Sequence, residues 1–545
     1  MAGVVQGAEW RRIDGLPKRA YTSEQLQQIA QHLTQQLRTP TGTMELFPLQ
    51  ALALWDWLHV QGLVAWLPVG EGKTLVTFLA PSLLPHQRAV LFVPAALLEK
   101  TCEDLRILRE HWKISDRLIV VSYKKLELRR HADLLFRLKP DMIICDEAQA
   151  FRRVGSARSR RFFNYLQAHH QTKVAMLSAS SARRSVTDYW HLSFAALRVG
   201  SPLPLNLNEV KKWGAVLDSD APDPRPPPGA LRRWCPAEKQ GMSAVQVARE
   251  GFRARVAATP GYVTARSTPL GVPITLTERP YVMDKSQQYH ITHLRRTWER
   301  PDGELIQHAP ELWRHERELA LGCWYCWDPL PPPEWLEPRR AWRAFVRSML
   351  ARQIEGLDAP SEVELRYPNH PLLQAWRAVR KQYTPNNVVH WVSKKLLHDA
   401  TQWLQQGGQR IAWVEHVGVG VALAEMSGYR YLGAGKESAR EILTVNGPII
   451  AGIKSKSTGL NLQRYRHNLV MPFPTSGDAV EQLIGRTHRR GQQHPVTVET
   501  YLHHESLIRN IKQVLRDASF LSETQDDQRI IRAQKCLPSL DAAED

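Results

Sequence analysis

The stretch Leu63-Val64-Ala65-Trp66-Leu67-Pro68-Val69-Gly70-Glu71-Gly72-Lys73-Thr74-Leu75-Val76-Thr77-Phe78-Leu79-Ala80 decides the fold. A wholly apolar run, a glycine turn and a second apolar run of helical length predict a buried strand, a tight turn and the opening of a helix. Backbone N–H groups in such a turn, aided by the helix dipole, form a cradle for phosphate. Gly70, Glu71 and Gly72 supply that cradle, Lys73 can reach the β- and γ-phosphates, and the Thr74 hydroxyl can ligate Mg²⁺. The usual phosphate loop has a further glycine where this chain has Leu67, so a glycine turn without a ligand stands as the plain alternative.

Working outward, the apolar runs at residues 63–67, 89–93, 118–121, 142–145 and 174–177 are separated by amphipathic segments of helical length. That alternation predicts a parallel sheet with helices on its faces. Polar or special residues follow each run: the glycine turn, Pro94-Ala95, Ser122-Tyr123, Asp146-Glu147 and Ser178-Ala179-Ser180. Ligands of open α/β sheets lie beyond the carboxyl ends of the strands, so these segments deliver chemistry to one edge. Asp146 is placed to share Mg²⁺ with Thr74, and Glu147 to orient or activate water; a solvated acidic turn is the alternative. Ser178 and Ser180 can sense the phosphate state, or simply cap a helix. Upstream, Gln50 heads a helical stretch at 51–59, where its amide can read adenine or merely cap the helix.

A second alternating region begins near residue 406, with runs at 411–414, 429–432, 449–453, 469–471 and 496–501. Gly433-Ala434-Gly435-Lys436-Glu437 imitates a phosphate loop, but Glu437 stands where a metal-ligating hydroxyl belongs, and the stretch is read as a loop. Ser457-Thr458-Gly459-Leu460-Asn461-Leu462 follows the third run, with Gly459 permitting close backbone approach. Residues 478–492 then read Asp-Ala-Val-Glu-Gln-Leu-Ile-Gly-Arg-Thr-His-Arg-Arg-Gly-Gln. A helix through them sets Gln482, Arg486 and Arg489 on one face. Paired guanidinium groups suit the charge that spreads over the γ-phosphate oxygens in a transition state.

Between the two regions the pattern changes. Residues 218–229 are rich in Pro and Asp and read as a stiff exposed linker, whereas 281–400 are mostly helical by pattern. Arg295, Arg296, Arg314 and Arg317 lie near Trp298 and Trp313, the mixture of a nucleic-acid groove or of ordinary solvated Arg and buried Trp. Cys323-Trp324-Tyr325-Cys326 has the spacing of a zinc half-site, but no second pair accompanies it; buried small hydrophobes are expected, not zinc.

Composition is compatible with these readings. A length of 545 residues predicts three or four domains, and 43% hydrophobic with 23% charged content is that of a globular protein. A net charge of +18 points to an anionic partner, with nucleic acid the leading candidate because a polyanion releases counterions on binding clustered Lys and Arg. No apolar stretch is long enough for a transmembrane span, no signal peptide pattern opens the chain, and six cysteines without a spaced framework fit a reducing compartment. A cytoplasmic location is expected, in a bacterium or a phage-infected cell, with the nucleus left open.

Taken in order, Gln50, residues 70–74, 146–149, 178–180, 458–462 and 482–492 resemble the motifs of superfamily-two helicases. The last two are most similar to the Swi/Snf group of double-strand DNA translocases, which also lacks the glycine replaced by Leu67. Departures are Gln149 where that group has His, and Ser-Ala-Ser where it has Thr-Gly-Thr. The Trp-Asp-Pro and Pro-Glu-Trp-Leu-Glu stretches look like inserts of phage-encoded relatives. The resemblance implies an α/β fold of two RecA-like lobes: a helical cap at 1–43, lobe 1 at 44–205, an insert at 206–405, lobe 2 at 406–515 and a tail at 516–545. It implies an ATP- and Mg²⁺-dependent motor on nucleic acid, duplex DNA favoured over RNA, hydrolysing ATP between the lobes. Lys73, Asp146, Glu147, Arg486 and Arg489 would be catalytic, Thr74 and Asp146 the metal ligands, and Gln50, residues 70–74, Gly459 and Gln482 the nucleotide site. Pro94, Ala95, Ser122, Thr458 and Asn461 would grip the nucleic-acid backbone, and the insert would offer a surface to protein partners. The alternatives are a nucleotide-gated DNA-binding or scaffold subunit with weak ATPase, and the motor subunit of a defence or replication complex.

Overall fold

Runs such as Ala89-Val90-Leu91-Phe92-Val93 have no polar face, and they become strands buried on both sides. The structure, a computed structural model, describes residues 7–179, 184–237, 241–264, 271–306, 308–352, 354, 357, 359–456, 460–525 and 529–541. The chain divides into two compact units, the first made of Met1–Ser267, Val346–Arg366 and Ser519–Asp527, the second of Thr268–Phe345, Tyr367–Ala518 and Gln528–Asp545.

The first unit is built on a parallel sheet. Its strands are β1 (Leu63–Trp66), β2 (Ala89–Val93), β3 (Leu118–Ser122), β4 (Met142–Asp146), β5 (Lys173–Ser178) and β6 (Tyr262–Thr264), in the order β3-β2-β4-β5-β1-β6. In register, Trp66 lies beside Ser178, Asp146 beside Leu177 and Val93 beside Ser122, so the carboxyl ends form one edge. Separate apolar clusters cover the two faces: Val64, Phe92 and Ile143 contribute to one, Leu63, Leu91 and Ile144 to the other. This is the period-two alternation of strand side chains. The helix Ser23–Leu37 of the expected N-terminal cap packs Leu33 and Leu37 into the second cluster.

The second unit holds β7 (Ile274–Glu278), the antiparallel pair β8 (Cys323–Trp327) and β9 (Asn387–Trp391), then β10 (Arg410–Val414), β11 (Tyr431–Leu432), β12 (Ile449–Gly452), β13 (His467–Met471), β14 (Val496–Thr500) and β15 (Gln534–Cys536). Seven of them form a parallel sheet in the order β11-β12-β10-β13-β14-β7-β15. Mixed α/β architecture with two parallel sheets is thereby observed.

Several expectations need correction. Residues 206–267 belong to the first unit and contribute β6, while β7 from the same expected insert joins the second sheet. Of the expected tail, β15 pairs with β7. Gly433-Ala434-Gly435 is a short turn, and Lys436 opens the helix Lys436–Thr444, because Gly435 at φ 120° turns the chain directly into it. Residues 218–229 are irregular as read, yet not loose: Arg225 donates to the Asp218 carbonyl at 2.5 Å and the Ser219 carbonyl at 3.3 Å.

Candidate active site

Gly70 (φ 101°) and Gly72 (φ 73°) adopt left-handed conformations, and Gly72 caps the helix Lys73–Leu83. A Cβ on Gly72 would lie 2.1 Å from Gln50 Nε2, so glycine is required there twice over. Gln50 is buried in the first turn of the helix Pro48–Val60. Its Oε1 accepts from the Phe47 N–H at 3.0 Å, and its Nε2 donates to the Glu71 carbonyl at 3.0 Å. The amide expected to read adenine thus caps its own helix and ties down the glycine turn. Lys73 Nζ donates to the carbonyls of Leu67 (2.9 Å) and Pro68 (3.3 Å), which folds the ammonium over the turn. The half-buried Thr74 hydroxyl makes no hydrogen bond among the described residues.

Asp146 ends β4 and is buried; its Oδ1 accepts from the Glu147 N–H at 3.1 Å, and its carbonyl accepts from the Tyr123 hydroxyl at 2.9 Å. Glu147 holds a left-handed conformation (φ 56°), which costs a residue with a Cβ on the order of 1–2 kcal/mol. Gln149 Nε2 donates to Glu147 Oε2 at 2.8 Å, and Gln149 Oε1 accepts from Ser178 Oγ at 2.5 Å. Gln149 therefore links the acid pair to the end of β5. The sequence marked this residue only as a departure from the resembling group; its position between two polar strand ends was the signal available. Ser180 lies outside the described residues.

Burial, and then the neighbouring Glu147 carboxylate, push Asp146 up to about 7, against the opposing pull of Lys73. A buried Asp146 carboxylate with the half-buried Glu147 carboxylate beside it is a site that a divalent cation would satisfy. With the unengaged Thr74 hydroxyl it fits the Mg²⁺ expected from sequence.

In the second unit, Arg486 is buried on the helix Gly477–Thr487, where its Nε donates to the Gln482 carbonyl (3.1 Å) and its Nη1 to the Leu460 carbonyl (3.3 Å). Arg489 is not on that helix, contrary to the expected shared face. The helix stops at Thr487 because tertiary bonds hold the next residue: His488 Nε2 lies 2.9 Å from the Val272 carbonyl, and Arg529 Nε donates to the His488 carbonyl at 3.0 Å. The Arg489 guanidinium is instead bonded to Asn461 Oδ1, and its buried Nε has no partner among the described residues. Burial and Arg529 both hold its pKa below the usual arginine value. Thr458 and Gly459 lie outside the described residues.

The expected backbone-gripping residues fare unevenly. Pro94 is half-buried and Ala95 exposed beyond β2, but the Ser122 hydroxyl is used in accepting the Lys124 N–H at 3.1 Å. Of the residues read as a groove or as solvated Arg with buried Trp, Arg295 pairs with Glu316 (2.7 Å), Arg317 with Glu415 (2.5 Å) and Arg314 with Glu318 (3.8 Å), while Trp298 and Trp313 are exposed. Cys323 and Cys326 both lie on β8, three residues apart, so strand alternation sends them to opposite faces. The chain matches no protein-family model and no curated protein sequence.

Proposed function

We propose that the protein is an ATP-dependent nucleic-acid motor of the Swi/Snf-like helicase type, with each unit a RecA-like lobe. The observation that carries this reading is the convergence, at the carboxyl edge of one parallel sheet, of a left-handed glycine turn ending in Lys73-Thr74 and of the Asp146-Glu147 pair. β5 stands between their two strands, and its Ser178 is tied to the acid pair through Gln149.

On this reading Lys73 leaves the Leu67 and Pro68 carbonyls for the phosphates, and the turn N–H groups orient them. Thr74 and Asp146 would hold Mg²⁺, which supplies Lewis-acid charge to the phosphate oxygens. Glu147, fixed by the Gln149 amide, orients water and takes its proton. Arg486 and Arg489 from the second unit serve the γ-phosphate charge. Duplex DNA is the preferred track. The test is ATP turnover of the full chain with duplex DNA, single-stranded DNA, RNA and no nucleic acid. Stimulation by duplex, with displacement of a triplex strand, is expected; turnover indifferent to all three would overturn the proposal.

A further inference from the structure

The second unit contains a cavity of about 850 Å³ that the motor reading does not use, within the roughly 300–1,000 Å³ of small-molecule sites. Strand β8, the helix Pro333–Ala351 and residues just beyond β10 and β12 contribute to its walls. Its charges do not balance. The carboxylates described along it are all paired: Asp302 and Glu304 with Arg300 at 2.6 and 2.8 Å, Glu318 with Arg314 at 3.8 Å, and Glu415 with Arg317 at 2.5 Å. Arg339 and Lys454 line the same cavity, and neither has an ion pair or a hydrogen bond among the described residues.

Arg339 is held by rings rather than by acids. Its guanidinium lies over Trp327 at 4.8 Å and over Trp335 at 5.2 Å, and the buried Trp335 meets Trp327 edge-on at 5.8 Å. Stacking orients the guanidinium and leaves its N–H donors to an incoming anion. Burial, and then Arg343 and Arg340, hold its pKa below the usual arginine value, so a bound phosphate would relieve repulsion among these cations. Strands β8 and β9 supply the rest. Trp327 is half-buried, and Asn387 stands directly opposite it in the antiparallel register, on the same face. The exposed Asn387 amide makes no hydrogen bond among the described residues. An indole offers a planar ring a stacking surface, and an asparagine amide pairs with the N6 and N7 edge of adenine.

We infer that this cavity binds a free adenine mononucleotide, with its ring on Trp327, its base edge on Asn387 and its phosphate on Arg339 and Lys454. The site shares no residue with the glycine turn of the first unit, and the inference goes beyond the motor reading and does not depend on it. Arg339 can give a phosphate two parallel N–H bonds, and Lys454 adds a point charge. Two surplus cations suit one phosphate group. A strand would bring further phosphates against Asp302, Glu304, Glu318 and Glu415.

The experiment titrates AMP into the full chain by calorimetry, with the thermal midpoint of each variant as a check on folding. AMP lacks the β- and γ-phosphates that Lys73 is placed to reach, so one equivalent should bind, and equally well to a Lys73→Ala variant. Arg339→Gln should weaken AMP binding about 10–100-fold, the scale of lost hydrogen bonds to a charged group. Lys454→Ala, at an exposed position, should weaken it about 3-fold. GMP should bind about 10-fold more weakly than AMP, and Asn387→Ala should remove that preference. Absence of AMP binding, binding abolished by Lys73→Ala, or binding that survives Arg339→Gln and Lys454→Ala together overturns the inference. Inorganic phosphate that displaces AMP at equal concentration overturns it too, since the base then adds nothing. A 5′-phosphorylated adenine hexanucleotide that binds here more tightly than AMP makes the occupant a strand and overturns the free ligand. GMP bound as well as AMP overturns the role of Asn387. ATP turnover indifferent to nucleic acid, beside intact AMP binding, overturns the motor reading and leaves this site standing.

Discussion

The acid pair of the first unit and the arginine pair of the second are stabilised by different kinds of neighbours. Around Asp146 and Glu147 the bonds come from an amide side chain, a phenol and the adjacent N–H, and burial, then Glu147, raises the Asp146 carboxyl. Around Arg486 and Arg489 the acceptors include main-chain carbonyls and the neutral Asn461, and Arg529, itself paired with Glu481, lies near Arg489. Neutral partners satisfy directionality without cancelling charge. On the motor reading we propose, the first unit would meet a cation and the second an anion, the two requirements of phosphoryl transfer.

The comparison breaks or sharpens under substitution. The largest effect is expected for Arg489→Ala, a loss of roughly 10³-fold or more in ATP turnover, with the thermal midpoint little changed. Glu147→Gln should cost about 10²–10⁴-fold while ATP binding persists, read by nucleotide titration beside turnover. If the glutamate matters and the arginine does not, the second unit has no share in the chemistry; if neither matters, a nucleotide-gated scaffold replaces the motor. Gln149→Ala removes a hydrogen bond to a charged group and should lower turnover by about 10–100-fold.

The smallest effect separates fold from chemistry. Burial lowers His191 in the first unit and His503 in the second to about 4, with Nε2 of each facing a carbonyl, Phe151 at 3.1 Å and Ala320 at 2.9 Å. The unfolded chain then takes up protons before the native one. Their contribution is complete above about pH 6.5 and lost as pH falls toward 4, reaching about 2 kcal/mol each at pH 5. Urea unfolding at pH 7 and pH 5 measures it, and a variant with His191→Gln and His503→Gln should flatten the difference.

Most of the ten strands legible in the sequence are short apolar runs bounded by Gly, Pro or charged residues, whereas β14 (Val-Thr-Val-Glu-Thr) shows the alternation of a half-buried strand. β7 reads Ile-Thr-Leu-Thr-Glu and β15 reads Gln-Lys-Cys, segments whose strand character comes from the partner they find. β8 and β9 were hidden by Trp and Cys in a stretch of helical pattern. The glycine turn and the acid pair could be read because their chemistry is local. The bonds of Gln50 to Glu71 and of Gln149 to Ser178 could not, since an amide chooses partners by tertiary geometry. The same holds for the end of the helix at Thr487, fixed by Val272 and Arg529 from distant parts of the chain.

β7 lies between β14 and β15, although it is the first of its sheet to be made. Ile274 leaves the ribosome about 220 residues before its partner Val496, and Thr275 about 260 before Gln534. At roughly 5–20 residues per second, both edges of β7 stay open for on the order of 10–45 s, with Ile274 and Leu276 uncovered. Strands β1 to β5, by contrast, emerge within about 120 residues of one another. The first sheet can assemble as it is made; the second is completed only when its last strand has been synthesised, and until then it depends on whatever in the cell shields an open strand edge.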